Sequence, residues 1–262
     1  MESIVELPLL RITEKDRNEV TAPVTREYSL TVVLDGQELV NLLCTPRNLD
    51  YLAIGFLVSE GLVESKSEIK KLLVDEQKGT AWIETVEDRK IARDLLFKKR
   101  FITSGGGTVK GASFQGSTDI QHKVQSQVGI RPHQIFKLVG EFQNYSPIFQ
   151  RSHGVHSAAL CDTERILVFA DDLGRHNAID KVFGECILKD IATEDRIVIT
   201  TGRIPSEQLL KVAKRKVPVM VSLTVPTDLG VKLANDYGIT LIGSVRGNRM
   251  DVFTHRSRVW LD

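Results

Sequence analysis

The hydrophobic pattern changes character twice along the chain. In the first part, Tyr28, Leu30, Val32 and Leu34 alternate with polar neighbours, and Asp35-Gly36 offers a tight hairpin turn before Leu39-Val40. The stretch TPRNLDYLAIGFLVSEG then carries Leu49, Leu52, Ala53, Phe56 and Leu57 at helical spacing. Thr45 is its expected N-cap, Pro46 its first helical residue and Gly61 its stop. Residues 68–100 are charged and less regular, with a strand expected around Ala81-Trp82-Ile83 and a short helix over 91–97. The texture then shifts. FITSGGGTVKGASFQGS holds five glycines among small polar residues, and polar sequence continues to Val128. Long loops of this kind in compact domains are usually functional or disordered.

From Arg131 onward the chain alternates helix and strand. Ile135, Phe136, Leu138, Val139 and Phe142 mark one helix; SAALC and ILVFA read as two strands. A helix near Asn177 follows, with Ile179, Val182, Phe183, Cys186 and Ile187 inward. RIVIT, VPVMVSLT and ITLIGSV are three further strands. Between them lie a helix capped by Ser206 and another capped by Thr227 and stopped by Gly238. Near-continuous apolar strands alternating with helices predict a sheet covered on both faces. The expected organisation is α/β, with a smaller strand-rich α+β part over residues 1–120 ending in the glycine-rich loop, and an α/β domain over 121–262.

Composition narrows the function classes. Lys and Arg total 35 against 34 acidic residues, so no charge excess points to nucleic acid or a membrane surface. No apolar run approaches the roughly 18 residues of a membrane span. The opening MESIVELPLL lacks the basic flank and cleavage site of a signal peptide, which predicts a cytoplasmic protein. The three cysteines, Cys44, Cys161 and Cys186, form no CxxC pair and sit among apolar residues, so neither a disulfide framework nor a cysteine metal site is expected. P-loop, dinucleotide-fold and zinc-deaminase motifs are all absent.

The polar residues of the second part gather at strand-to-helix junctions, where open α/β sheets bind their ligands. These are Asp171, Arg175, His176 and Asn177; Thr201, Gly202 and Arg203; Thr224 to Thr227; and Ser244 to Arg249, with His153 and His156 just ahead of a strand. Gly174 permits a tight turn, and Asn177 is placed to cap the helix. Arg203, Arg246 and Arg249 could clamp phosphates in fork geometry beside helix N-termini. Individually, an Asp171 or Asp172 pair with Arg175 could be a surface ion pair, and the histidines could be turn residues. Four junctions converging on one edge favour an anion pocket, and on physical grounds the reading stops at a phosphorylated ligand.

The blocks HGVHSAAL, DDLGRHNAIDKVFG, TTGR, VPT before a helix and GITLIGSVRGNRMDVFTH resemble, in order and spacing, the formate dehydrogenase accessory sulfurtransferase family (FdhD). TPRNLDYLAIGFLVSEGLV and PVTREYSLTVVLDG extend the resemblance over nearly the whole chain. It implies a cytidine-deaminase-like three-layer α/β/α domain without the deaminase zinc, in a cytoplasmic homodimer. The implied activity is transfer of sulfur from a cysteine desulfurase, as a persulfide on a loop cysteine, to a bis-molybdopterin guanine dinucleotide carrying molybdenum or tungsten, destined for formate dehydrogenase. The cofactor is cargo here, with a guanine nucleotide as its analogue. The family's cofactor-binding segment matches Ser244, Val245, Arg246, Gly247, Asn248 and Arg249. One departure stands out: the sulfur-carrying loop reads SGGGTVKG from Ser104, and the family cysteine falls at Gly105 or Gly106, where there is no thiol. Only a thiolate can form a persulfide. A cofactor-binding or insertion module without sulfurtransferase activity is therefore the alternative function. Cys44, just ahead of a helix N-terminus, is the least implausible stand-in, but burial is the expected fate of all three cysteines.

Overall fold

The computed structural model describes residues 1–87, 100–102, 108–110 and 123–261. The helix expected over 91–97, the loop positions Gly105 and Gly106, and the expected domain boundary at 120/121 lie outside them.

Two strands, β1 (Ile4–Ile12) and β2 (Arg17–Thr25), pair as an antiparallel ribbon that the sequence reading did not anticipate. Next comes a four-stranded sheet of β3 (Tyr28–Leu34), β4 (Gln37–Cys44), β5 (Ile69–Asp75) and β6 (Thr80–Thr85), in the order β4-β3-β6-β5. Asp35 and Gly36 make its first hairpin with φ of 47° and 79°, the left-handed backbone that two-residue turns require. Helix α1 (Leu49–Glu60) lies on this sheet and ends at Gly61, whose φ of 77° stops it as expected. The capping expectation fails. Asn48, in left-handed conformation, precedes the helix, while Thr45 is held elsewhere, its N–H and hydroxyl donating to Asp172 Oδ2 at 3.0 and 3.1 Å.

After the short strands β7 (Arg100–Ile102) and β8 (Thr108–Lys110), the α/β part opens with α2 (Pro132–Gln143) and α3 (Pro147–Ser152). Its six strands are β9 (His156–Cys161), β10 (Ile166–Asp172), β11 (Ile197–Thr200), β12 (Val219–Ser222), β13 (Thr240–Arg246) and β14 (Arg249–Val252), ordered β10-β9-β11-β12-β13-β14. Strands β11, β12 and β13 run parallel; β9, β10 and β14 add antiparallel edges. Helices α4 (Arg175–Leu188), α5 (Ser206–Lys214) and α6 (Asp228–Tyr237) cover one face through Ile179, Phe183, Leu209 and Leu233. Helix α2 covers the other through Ile135, Leu138 and Phe142. This is the expected three-layer arrangement. Thr227 caps α6 by accepting from Gly230 N at 3.1 Å, whereas Pro205, not Ser206, occupies the cap position of α5.

Helix α1 joins the two parts. Nine of its twelve residues are buried, because it packs on the four-stranded sheet with one side and on α4 with the other. The helices touch backbone to backbone. A Cβ on Gly55 would stand 1.7 Å from the Asp180 carbonyl oxygen, and one on Gly184 would stand 1.9 Å from that of Tyr51.

Candidate functional site

The topology brings the polar junctions to one end of the sheet. Strands β10, β11, β12 and β13 all finish there, and β9 starts there; Asp172 pairs with His156, and Thr200 with Ala158 and Ser222. Hydrogen bonds lace the loops beyond the strand ends. Gly202 N donates to Thr200 Oγ1, Ser222 Oγ donates to the Gly202 carbonyl at 2.7 Å, and Ser244 N donates to the Thr224 carbonyl at 3.0 Å. The rim is therefore preformed.

A cavity of about 440 Å³ opens on this rim, lined by Arg203, Leu223, Thr224, Val225, Ser244, Arg246 and Arg249. Arg203 comes from the loop after β11 and Arg246 from the end of β13, and Arg249 follows the turn at Gly247, whose φ of 57° lets the β13–β14 hairpin fold back. All three arginines are exposed, and among the described residues none has a carboxylate partner. Three guanidinium groups with serine and threonine hydroxyls are a donor set suited to phosphoryl oxygens. The sequence reading did not include Leu223 among the lining residues. Its apolar character and place inside a strand-like run hid it.

A second group sits beside this cavity, towards β9 and β10. Gly202 leaves room for Arg175: a Cβ there would stand 2.9 Å from Arg175 Cβ and Cδ. Burial and then the nearby Arg203 lower the Arg175 pKa, which marks how closely the two cations approach. His156 Nδ1 lies 3.2 Å from Thr201 Oγ1, and burial followed by Arg175 lowers its pKa. His176 Nε2 lies 3.6 Å from Glu207 Oε2, a distance that would suit an ion pair. Burial first, then Lys211, Arg175 and His156, push the His176 pKa down to about 3. The neutral imidazole is the form consistent with that environment, so the contact is not an ion pair at pH 7. Glu207 escaped the sequence reading; as a first-turn acid on α5 it looked like an ordinary helix-end charge.

Other expected site residues serve the frame. Asp171 is buried and accepts from Ser146 Oγ at 2.7 Å. Neither aspartate forms a surface pair with Arg175; Asp172, with no exposed surface, pairs with buried Lys181 at 2.7 Å. Asn177 does not cap α4. Its amide donates to the Leu43 carbonyl and to Asp172 Oδ1, both at 2.8 Å, while Gly174 holds the cap position. Val245 is buried in the sheet core, and exposed His153 ends α3 in a left-handed conformation against Phe149. Gly247 and Asn248 form the exposed hairpin tip. Asp172, Lys181 and Thr45 thus fix the turn from which Arg175 and His176 project.

None of the cysteines is available to this rim. Cys44, Cys161 and Cys186 are at most 1% exposed, and burial pushes each thiol up to about 12. Burial is the fate expected for all three, and for Cys44 it removes the stand-in role: burial, with Asp172 next, outweighs any help from Lys181. Among the described residues no group of His, Cys, Asp or Glu could hold a metal, and no helix is long and apolar enough to cross a membrane.

The family model of FdhD/NarQ matches residues 25–260, the span that contains both sheets and the whole rim. The chain belongs to the FdhD/NarQ family. A sulfur carrier protein FdhD from Bacillus subtilis (strain 168) is 38% identical over 95% of both chains. One from Staphylococcus aureus (strain MRSA252) is 36% identical over 96% of this chain and 95% of its own. A crystal structure described as that of a formate dehydrogenase accessory protein from Desulfotalea psychrophila superposes with a TM-score of 0.81. It is 25% identical and covers 99% of this chain and 100% of its own. The FdhD fold is therefore present from end to end, with this chain's three thiols inside it.

Proposed function

We propose that this FdhD/NarQ member serves formate dehydrogenase maturation by holding a bis-molybdopterin guanine dinucleotide, with molybdenum or tungsten as cargo, by its phosphates at the sheet rim. The observation that carries this reading is the set of three arginines, Arg203, Arg246 and Arg249, around one cavity at the strand ends, none with a carboxylate partner among the described residues. Its volume of about 440 Å³ lies in the range of nucleotide-sized pockets. The preformed loops would orient the phosphates at small entropic cost. The cargo supplies the metal chemistry; the protein's residues bind and orient it.

The reading includes a second part: the protein carries no sulfur on a thiol of its own. All three cysteines are interior, with thiols pushed up by burial, and the loop position where the family resemblance implies a thiol is glycine here. Sulfur destined for the cargo then comes from a persulfide on a partner, with a cysteine desulfurase as its source and formate dehydrogenase as the recipient of the cofactor. The setting is cytoplasmic and the acting form a homodimer.

Two measurements test this. Titration with GDP should give binding that Arg246→Ala or Arg249→Ala weakens by about tenfold or more, because a charge-assisted phosphate contact is lost. Unchanged affinity in both variants contradicts the site. Incubation with a cysteine desulfurase and cysteine should leave the intact mass unchanged; a gain of one sulfur atom on a native cysteine overturns the thiol-free reading.

A further inference from the structure

Between the first turns of α4 and α5, beside the arginine rim, two titratable side chains face each other. His176 Nε2 and Glu207 Oε2 are 3.6 Å apart, and both side chains are half-buried. The two facing atoms are themselves shut off from solvent, and among the described residues neither has a hydrogen-bond partner. Gln208, fully buried, holds the two turns together by donating from Nε2 to the Arg175 carbonyl at 3.2 Å. The pair is therefore fixed in place and cannot turn outward to be solvated without opening the helix contact.

The charges around this pair are mostly positive. On α4, Arg175 directly precedes His176; its stem lies against Gly202 and its guanidinium approaches Arg203, which lines the cavity. His156 faces the pair from β9. Lys211, one turn along α5, approaches it while bound to buried Asp180 at 2.6 Å. Glu60 at the end of α1, with Lys214 near it, closes the far side. The N-terminal end of α4 adds its own positive potential. Burial, Lys211, Arg175 and His156 together hold the His176 pKa down to about 3, while burial raises that of Glu207 against the pull of Lys211 and Arg175. A phosphoryl group seated between Arg175 and Arg203 would offset the cation nearest His176 and bring negative charge towards the ring, which favours its protonated form.

We infer that His176 and Glu207 form a ligand-linked proton site: an anion held by Arg175 and Arg203 draws a proton onto the pair, and the proton leaves when the anion does. This rests on the phosphate reading of the adjacent cavity and extends it, since the pair adds positive charge to the rim only when the rim is occupied. The sign of the linkage follows. The occupied protein holds the proton more tightly than the empty one, so this contribution to binding is present at low pH and is lost as pH rises through the midpoint of the occupied pair.

NMR titration of the histidine rings between pH 4 and 8 reads this directly, with the His176 signal identified by its loss in His176→Asn. In the free protein the His176 ring should stay neutral across that range. With saturating pyrophosphate its midpoint should rise by about two pH units and enter the range. Arg175→Gln should raise the midpoint in the free protein and shrink the further rise that pyrophosphate causes, and Glu207→Gln should also shrink that rise. Calorimetric titration of the wild type with pyrophosphate at pH 7 separates the two readings. If pyrophosphate binds while the His176 ring stays neutral throughout, the proton site is overturned and the phosphate rim stands. If pyrophosphate does not bind, both readings fall.

Discussion

At the scale of single residues, the protein separates groups it keeps from water and groups it presents to a ligand. Cys44, Cys161 and Cys186 belong to the first kind. With thiols pushed up to about 12, they should be inert to a disulfide reagent at pH 8 in the native protein, and all three should react after unfolding. One native thiol titrating would contradict their burial. His176 and Glu207 make the rim pH-sensitive in opposite senses. The folded His176 pKa of about 3 lies below its ordinary 6.5, so the unfolded chain binds a proton that the folded chain excludes. That contribution is complete above about 6.5 and is lost as pH falls towards 3, at up to roughly 1.4 kcal/mol per pH unit. Glu207, raised by burial, holds its proton in the folded state at higher pH than when unfolded. Its contribution is present at low pH and lost as pH rises through the raised value. Thermal unfolding from pH 7 to 4 should accordingly fall less steeply in His176→Asn and more steeply in Glu207→Gln.

At the scale of elements, the most constrained contact is the crossing of α1 and α4. Gly55→Ala or Gly184→Ala places a methyl group inside a backbone carbonyl of the partner helix, so the helices must separate along their length. Either variant should cost about 3 kcal/mol or more, read as a lowered unfolding midpoint, because neither helix backbone can yield locally. The elements themselves were largely legible in the sequence: strand alternation from Tyr28, the Asp35-Gly36 turn, and the helix–strand alternation after Arg131 reflect one-dimensional periodicities. What escaped depends on three-dimensional partners. Thr45 has the chemistry of a helix cap, but Asp172, far away in sequence, takes its hydrogen bonds. Asn177 was drawn off in the same way. The arginine rim was legible because strand ends converge by topology; the buried roles of Asp171 and Asp172 were not, because six charged residues in one stretch give no sign of which ones pair inside.

At the scale of the whole molecule, the β1–β2 ribbon bears on assembly. One of its faces is apolar throughout its base, with Val5, Leu7 and Leu9 opposite Val24, Ala22 and Val20, and Leu7 and Val24 are well exposed. A two-stranded ribbon is marginal alone in water, and this one is tied to the body by Thr25 with Ser152 and by Arg151 with Glu6. A second copy covering that face would account for its character. Light scattering should then report a dimer for the wild type and a monomer for Leu7→Asp with Leu9→Asp; a wild-type monomer, or a dimer that survives both changes, removes the ribbon from the interface. The account as a whole turns on the sheet rim. The most direct measurement is a crystal structure of the protein soaked with GDP. It should show the diphosphate between Arg203, Arg246 and Arg249, with the nearest thiol still buried. Density for the nucleotide elsewhere, or a bare rim with those arginines turned away, would contradict it.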